Sequence, residues 1–355
     1  MINKRIVIMA GGTGGHVFPA LAVALEMQER GWQVSWLGSR KGLESRIVPA
    51  NGIEIDWLTV EGVRGKKLIA KPLAIIKLLR ASLQALRILQ RRRPNLVLGM
   101  GGFVAGPGGM MAKLLGIPLV IHEQNRVPGT TNRLLAKLAA RRVLEAFPES
   151  FAKSTQAQCC GNPLRKAFSQ VPEKNIWNLQ SARPLRVLIL GGSQGAKVLN
   201  DLAPAALASL GDLEIKHQTG LAMQSEVAER YQTLAIQAEV AAFIDDMAAA
   251  YQWADLIICR AGAMTVSEVA ASGLPAIFVP FLHAIDDHQT ANARFLCDVG
   301  AALLLPQPEL NTETLRKKVE QAMTSLTAMS LAAKSQAKLD ATQTVADICI
   351  AEAAL

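Results

Sequence analysis

Short apolar runs alternate with longer amphipathic stretches along all 355 residues of the chain. In the first half, Val-, Ile- and Leu-rich runs predict strands at Arg5–Met9, Gln33–Leu37, Ile53–Leu58, Leu96–Met100, Leu119–His122 and Arg142–Ala146. Apolar positions at helical spacing lie between them, most clearly over Pro19–Arg30, Pro72–Arg92 and Thr130–Ala140. A second series follows at Arg186–Leu190, Glu214–Gln218, Val240–Phe243, Leu256–Cys259, Ala276–Val279 and Ala302–Leu305. The Ala-rich stretch Thr312–Leu355 reads as helical throughout. Strands that alternate with helical patterns imply βαβ crossovers and parallel sheets covered on both faces. The chain is too long for one compact core, so two domains are expected. The polar stretch from Gly161 to Pro184, with three prolines, reads as the connection. The expected fold class is α/β, with two Rossmann-like doubly wound domains at 1–163 and 164–340 facing across a cleft. The last helix, from about residue 341 to 355, is expected to pack back on the first domain.

Two strands run into glycine-rich turns followed by a helix. The first turn is Ala10-Gly-Gly-Thr-Gly-Gly-His16, ahead of a helix expected to open at Pro19; the second is Gly191-Gly-Ser-Gln-Gly-Ala196. Such a turn aims free backbone N–H groups and a positive helix end at one point, which suits an anion such as phosphate. A single turn is weak evidence, because glycine also serves simply to reverse a chain. A repeat about 180 residues later points to two similar domains with a ligand between them.

Charge adds a second anion. The net charge is +9, yet residues 1–163 carry 23 Lys/Arg against 9 Asp/Glu and the remainder 15 against 20. A positive half of this kind should meet a membrane leaflet, a nucleic acid or a phosphorylated substrate. Between Arg64 and Arg93 there are ten Lys/Arg and no acid. On a helical projection Ile75, Ile76, Leu78, Leu79, Leu83, Leu86 and Leu89 fill one wide arc, and Lys77, Arg80, Gln84, Arg87 and Arg91 another. Part of this stripe belongs on a sheet, as in any crossover helix. Its width and one-signed flank read as a surface for an anionic leaflet. No nucleic acid is expected, since the segment has no aromatic residue for base stacking. Pro94–Ala112 is uncharged, but six glycines and two prolines exclude a membrane span. The odd count of five cysteines and the lack of CxxC spacing argue against a disulfide framework or zinc site, and with a strand predicted from Arg5 no signal peptide is expected. A reduced cytoplasmic setting is the simplest reading.

Several groups are placed to do chemistry. His16 sits in the first turn as a general base, a hydrogen-bond partner or a helix cap. The run His122-Glu-Gln-Asn125 ends an apolar strand, and four such side chains are costly to bury alone, so they line the cleft or form a surface turn. The glycines of Gly99–Gly109 either widen the anion site or let helix and sheet pack closely. In Cys259–Glu268 a strand passes through Gly262 into a helix. Glu268 there accepts two hydroxyl hydrogen bonds, as from a ribose, or balances the helix start. Asp245-Asp246 and Asp286-Asp287 are poor chelates, because adjacent side chains point apart; no metal and no cofactor are expected.

Gly11-Gly-Thr-Gly-Gly-His-Val-Phe-Pro19, His122-Glu-Gln-Asn125, Gly161-Asn-Pro-Leu-Arg165, Gly191–Ala196 and Arg260-Ala-Gly-Ala-Met-Thr-Val-Ser-Glu268 occur in that order. With them the chain closely resembles, over essentially its whole length, the MurG family of bacterial peptidoglycan N-acetylglucosaminyltransferases. That resemblance implies a GT-B fold and inverting transfer of GlcNAc from UDP-GlcNAc. The implied acceptor is the C4 hydroxyl of the muramoyl sugar in undecaprenyl-diphosphate-linked muramoyl-pentapeptide, converting lipid I to lipid II. It also implies a peripheral place on the cytoplasmic face of the inner membrane, among cell-wall synthesis and division proteins. Carried over by motif, Thr13, Gly14, Gly15 and Asn125 lie near the donor sugar, and Arg165 and Ser193 belong to the nucleotide-sugar site. Ile244 offers its backbone to uracil, and Glu268 binds ribose. Ala263, Met264, Thr265, Val266, Ser267 and Glu268 wrap the diphosphate, while Gln289 and Asn292 read GlcNAc hydroxyls. Leu282–Gln289 is one residue longer than the family stretch. The implied base is His16, or Glu123 if His16 is only structural.

Two other classes compete. A UDP-GlcNAc 2-epimerase shares the two-domain architecture and the nucleotide sugar but has no use for a basic apolar helix. A non-catalytic membrane or nucleic-acid binding protein leaves the constellation Arg260–Glu268 unexplained.

Overall fold

The computed structural model describes residues 4–60, 71–169, 183–191, 196–282 and 284–354. Ser193 and the side chain of Ile75 lie outside the described residues. The chain forms two compact units, Met1–Arg165 with Leu339–Leu355, and Lys166–Lys338. Arg165, grouped above with the second domain, therefore belongs to the first unit.

The first unit holds strands β1 (Arg5–Met9), β2 (Gln33–Gly38), β3 (Glu54–Trp57), β4 (Leu96–Gly99), β5 (Leu119–Glu123), β6 (Arg142–Glu145) and β7 (Gln158–Cys159). They form one parallel sheet in the order β3-β2-β1-β4-β5-β6-β7. Helices α1 (Gly14–Glu29), α2 (Glu44–Ala50), α3 (Lys71–Arg92), α4 (Ala105–Leu114) and α5 (Thr130–Leu138) cover it. Successive strand side chains point to opposite faces, and both faces are buried. Ile6, Ile8, Leu96 and Leu98 pack with Val17, Val23, Met27 and Val48 on one side. Val7, Met9 and Val97 pack with Ala85, Leu89, Ala105 and Leu135 on the other.

The second unit repeats the plan. Strands β8 (Leu185–Leu190), β9 (Leu213–Gln218), β10 (Ala238–Ala241), β11 (Leu256–Cys259), β12 (Ala276–Phe278) and β13 (Ala302–Leu304) form a parallel sheet ordered β10-β9-β8-β11-β12-β13. Its helices are α6 (Lys166–Ser169), α7 (Lys197–Leu207), α8 (Gln224–Thr233), α9 (Met247–Trp253), α10 (Ala263–Ser272), α11 (His288–Cys297), α12 (Thr312–Met323) and α13 (Leu326–Ser335).

The helical stretch after Thr312 is three helices, the last being α14 (Ala341–Ala354). Each packs on a different surface: α12 on α7, α13 on α10, and α14 on α1 in the first unit. The breaks at Thr324–Ser325 and Gln336–Asp340 carry no Gly or Pro, so composition could not mark them. α14 buries Val345, Ala346 and Cys349 in the first core, and its buried Glu352 pairs with Arg141 and Arg142 at 2.8 and 2.5 Å.

In both sheets the chain order reverses once, between β1 and β4 and between β8 and β11. In doubly wound sheets that switch point is where ligands bind, beyond the carboxyl ends of the strands. The glycine-rich turns follow β1 and β8; the Gly99–Gly109 cluster and the Arg260–Gly262 turn follow β4 and β11. The Ala10–His16 turn, the Gly99–Gly109 cluster and the Arg260–Gly262 turn thus start at switch points.

Candidate active site

In the first unit, α1 begins at Gly14, five residues before the expected start, with Thr13 as its N-cap in extended conformation. Pro19 therefore falls inside the helix, and Gly14, Gly15 and His16 make up its first turn. No acidic residue lies in that first turn and Thr13 makes no side-chain capping bond, so the first-turn N–H groups lack the usual N-cap acceptor. Gly12 has φ +98°, and its N–H donates to Glu44 Oε2 at 2.9 Å. Glu44, fully buried at the start of α2, accepts through Oε1 from the Ser39 N–H and hydroxyl at 2.9 and 2.7 Å. This clamp on the turn has no sequence signal.

Two glycines of the Gly99–Gly109 cluster pack closely against the same turn, and Gly108 and Gly109 against Met9, Leu37 and Leu135. Gly101 and Gly102 have φ +93° and +82°. A Cβ at Gly101 would lie 2.9 Å from the His16 ring, and one at Gly102 would collide with the Gly11 carbonyl oxygen. Gly102→Ala is expected to cost about 2–5 kcal/mol, from the left-handed backbone penalty together with overpacking against rigid backbone. A denaturant titration of the variant checks this; an unchanged midpoint would show that the turn yields.

At the end of β5, His122, Glu123 and Gln124 are all buried. Glu123, expected as a second candidate base, has another role. Its Oε1 accepts from Asn125 N–H and Nδ2 at 2.9 and 3.3 Å, and its Oε2 from Gly129 N–H and Asn132 Nδ2 at 3.0 and 2.9 Å. A carboxylate that accepts four hydrogen bonds holds the loop that carries Asn125. His16 Nδ1 lies 2.7 Å from Gln124 Oε1. Asn162 Nδ2 donates to the Gln124 carbonyl at 3.1 Å, tying the Gly161–Arg165 motif to this strand end. The Arg165 guanidinium sits 5.4 Å over the Phe18 ring on α1.

In the second unit, α10 begins directly after Gly262, whose backbone is extended, again with no capping side chain and no acid in the first turn. Ala263, Met264 and Thr265 therefore present first-turn N–H groups at the switch point. Glu268, half-buried in the second turn, lies 3.5 Å from the hydroxyl of buried Tyr251. Ile244 N–H donates to Oε1 of buried Gln218 at 3.0 Å. Gln218 ends β9, and behind it His217 is buried with Tyr231 OH at 3.0 Å and Asn200 Oδ1 at 3.1 Å. Burial holds His217 neutral by lowering its pKa to about 3. Asn200 Nδ2 donates to the Thr219 carbonyl at 3.0 Å, so this network shapes the loop facing Ile244. The sequence reading missed Gln218 and Asn200. Gln289 Oε1 accepts from Phe281 N–H at 2.9 Å, and buried Asn292 Nδ2 donates to the Ala261 carbonyl at 3.3 Å, beside the start of α10. Asp246 caps α9 by accepting from Ala249 N–H at 3.0 Å.

On α3 the expected single arc divides. Ala81, Ala85 and Leu89 are buried toward the sheet, and Leu86 is half-buried. Leu79 and Leu83, on the opposite side at 3.6 residues per turn, are 60% and 55% exposed, with Ile76 also exposed. Ala81 and Ala85 seat the helix with Leu89 and leave Ile76, Leu78, Leu79 and Leu83 outside. Arg80 and Arg87 are exposed beside them, and Lys77 is half-buried. The neighbouring α4 and α5 expose Leu114, Leu134 and Leu138, each next in sequence to Lys113, Arg133 or Lys137. No helix among the described residues is long and apolar enough to cross a membrane.

Two doubly wound units, each with a bare helix start at its switch point, are the architecture of GT-B glycosyltransferases. Within that class the chain belongs to glycosyltransferase family 28, whose N-terminal domain matches residues 6–144 and whose C-terminal domain matches residues 186–349. It is 56% identical to a UDP-N-acetylglucosamine–N-acetylmuramyl-(pentapeptide) pyrophosphoryl-undecaprenol N-acetylglucosamine transferase of Methylococcus capsulatus, covering 99% of each chain. It is similar to the crystal structure of Acinetobacter baumannii MurG, at 42% identity and TM-score 0.87, covering 98% of this chain and 99% of that one. A UDP-GlcNAc 2-epimerase from Neisseria meningitidis shares the fold at TM-score 0.66, covering 98% and 100% of the two chains, but only 12% of the sequence.

Proposed function

We propose that this chain transfers GlcNAc from UDP-GlcNAc, with inversion, to the C4 hydroxyl of the muramoyl sugar of undecaprenyl-diphosphate-linked muramoyl-pentapeptide. The observation that carries this reading is full-length 56% identity to a transferase of that name, spanning both units. The 2-epimerase likeness stops at the fold.

The residues divide the work. In the second unit, the first-turn N–H groups at Ala263–Thr265 meet the diphosphate, with Val266 and Ser267 completing the wrap. Glu268 accepts from the ribose hydroxyls, and Ile244 presents its backbone to uracil from a loop fixed by Gln218. Ser193, Gln289 and Asn292 add to the sugar-nucleotide contacts of the second unit; in the first unit, Thr13, Gly14, Gly15, Asn125 and Arg165 are the residues assigned to the same ligand. Negative charge grows on the β-phosphate as the C1–O bond breaks, and helix-start amides stabilise it without reorganising. The acceptor oxygen attacks C1 from the opposite face, and its proton passes to His16. The exposed apolar ridge of α3, with Leu79 and Lys77, Arg80 and Arg87, lies on the anionic cytoplasmic leaflet, bringing the site to its lipid-linked acceptor. Ile75 continues that ridge in sequence. Contacts with other cell-wall synthesis and division proteins fit this location.

Incubation with radiolabelled UDP-GlcNAc and a lipid-linked muramoyl-pentapeptide analogue tests the proposal. A labelled disaccharide lipid is expected; epimerised nucleotide sugar without transfer would overturn it. In the same assay Glu268→Ala is expected to cost about 1–3 kcal/mol of donor binding. The ribose contact persists from ground to transition state, so the loss falls on KM. A fall in kcat at unchanged KM would contradict the assigned role.

A further inference from the structure

Behind His16 runs a chain of buried polar groups to which the reaction as described gives no part. His16 Nδ1 lies 2.7 Å from Gln124 Oε1. Gln124 Nε2 lies 3.0 Å from the His122 carbonyl oxygen and 3.0 Å from His122 Nδ1. His122 Nε2 lies 2.9 Å from the Gly161 carbonyl oxygen. Both His122 and Gln124 are fully buried.

The two carbonyls decide every proton in this chain, because a carbonyl oxygen only accepts. The His122 carbonyl requires the nitrogen end of the Gln124 amide, which turns Oε1 toward His16. An amide oxygen also only accepts, so a hydrogen bond there needs the proton on His16 Nδ1. At the far end the Gly161 carbonyl accepts a hydrogen bond from His122 Nε2–H. That leaves His122 Nδ1 as the acceptor for the second Gln124 N–H. Gly161 aims its carbonyl from a left-handed backbone, φ +84°. One arrangement satisfies all three side chains.

We propose that Gln124, oriented by His122 and the Gly161 carbonyl, is a positioning residue that holds neutral His16 in its Nδ1–H tautomer and leaves Nε2 as the proton acceptor. This rests on the reading of His16 as the base. Burial lowers the His122 pKa to about 4, so near neutral pH that ring has one proton to give and the chain keeps its direction. In serine hydrolases a carboxylate fixes the tautomer of the base and also stabilises its charged form. Here a neutral amide supplies orientation and tautomer without a second buried charge. When the acceptor hydroxyl proton arrives at Nε2, the imidazolium still donates from Nδ1 to Gln124, so no partner is lost during the step.

The test combines tautomer detection with a double-mutant cycle. In wild-type protein labelled at the histidine ring nitrogens, long-range 1H–15N spectra are expected to show His16 protonated at Nδ1 and bare at Nε2. The opposite tautomer overturns the proposal. Gln124→Met keeps length and removes the acceptor; kcat is expected to fall about 10- to 10³-fold with the KM for UDP-GlcNAc little changed. Gln124→Glu, which keeps an acceptor for Nδ1, is expected to retain more activity than the methionine variant. His16→Ala/Gln124→Met is expected to be no slower than His16→Ala alone, because groups acting as one unit are not additive. A double variant much slower than His16→Ala would show Gln124 to be structural and overturn the proposal. An inactive His16→Ala beside an unaffected Gln124→Met would overturn this proposal alone. A fully active His16→Ala would overturn the base reading and this proposal with it.

Discussion

Replacing His16 with alanine is expected to lower kcat by about 10²–10⁴-fold and to leave donor affinity nearly unchanged, the range for losing one positioned general base. The ring sits in the first turn of α1, against Gly101 and hydrogen-bonded to Gln124, and the proposed uracil, ribose and diphosphate contacts lie in the second unit. Its loss therefore removes an interaction made only as the acceptor proton leaves, which reads out in kcat. Residual transfer comes from the helix-start amides and from holding the two substrates together. Steady-state kinetics with UDP-GlcNAc and a soluble acceptor analogue measure both parameters. More than about a tenth of wild-type kcat would mean that the base lies elsewhere. Glu123 would not inherit the role, since its carboxylate is buried under four donors.

Charge reversal at Lys77, Arg80 and Arg87 is expected to release the protein from anionic vesicles and to spare transfer to a short-chain, water-soluble acceptor. Each basic side chain near an anionic leaflet contributes about 1 kcal/mol, so three reversals lower partitioning by about two orders of magnitude or more. Leu79 and Leu83, more than half exposed on the outer side of α3, supply an apolar component that salt does not screen. Raising ionic strength should therefore weaken the wild-type attachment without abolishing it. Vesicle sedimentation across salt concentrations checks both statements. A triple variant that sediments like wild type would leave α3 as a crossover helix with no lipid contact.

Much of this organisation was legible in the chain. Parallel strands buried on both faces leave apolar runs, and glycine is needed where Gly12, Gly101 and Gly102 take left-handed backbone or approach a neighbour closely. What escaped notice has a common physical cause. Glu44, Gln218 and Asn200 act through hydrogen bonds to backbone groups 19 to 32 residues away, and no local spacing encodes such a contact. The early start of α1 was hidden because glycine and an internal proline both argue against a helix, whereas here they occupy its first turns. On α3 the projection weighted large aliphatic residues and passed over Ala81 and Ala85, the residues that seat the helix.

The return of α14 to the first unit bears on the order in which the protein is made. The second unit, Lys166–Lys338, is an insertion between β7 and α14 of the first. A ribosome therefore completes every strand and helix of the second unit before α14 emerges, and until then the face of the first sheet beside α1 lacks Val345, Ala346 and Cys349. Domains usually fold as units from the N-terminus onward during synthesis. In this chain the half translated first is the half completed last, and its unfinished apolar face needs shielding for the time taken to translate the second unit.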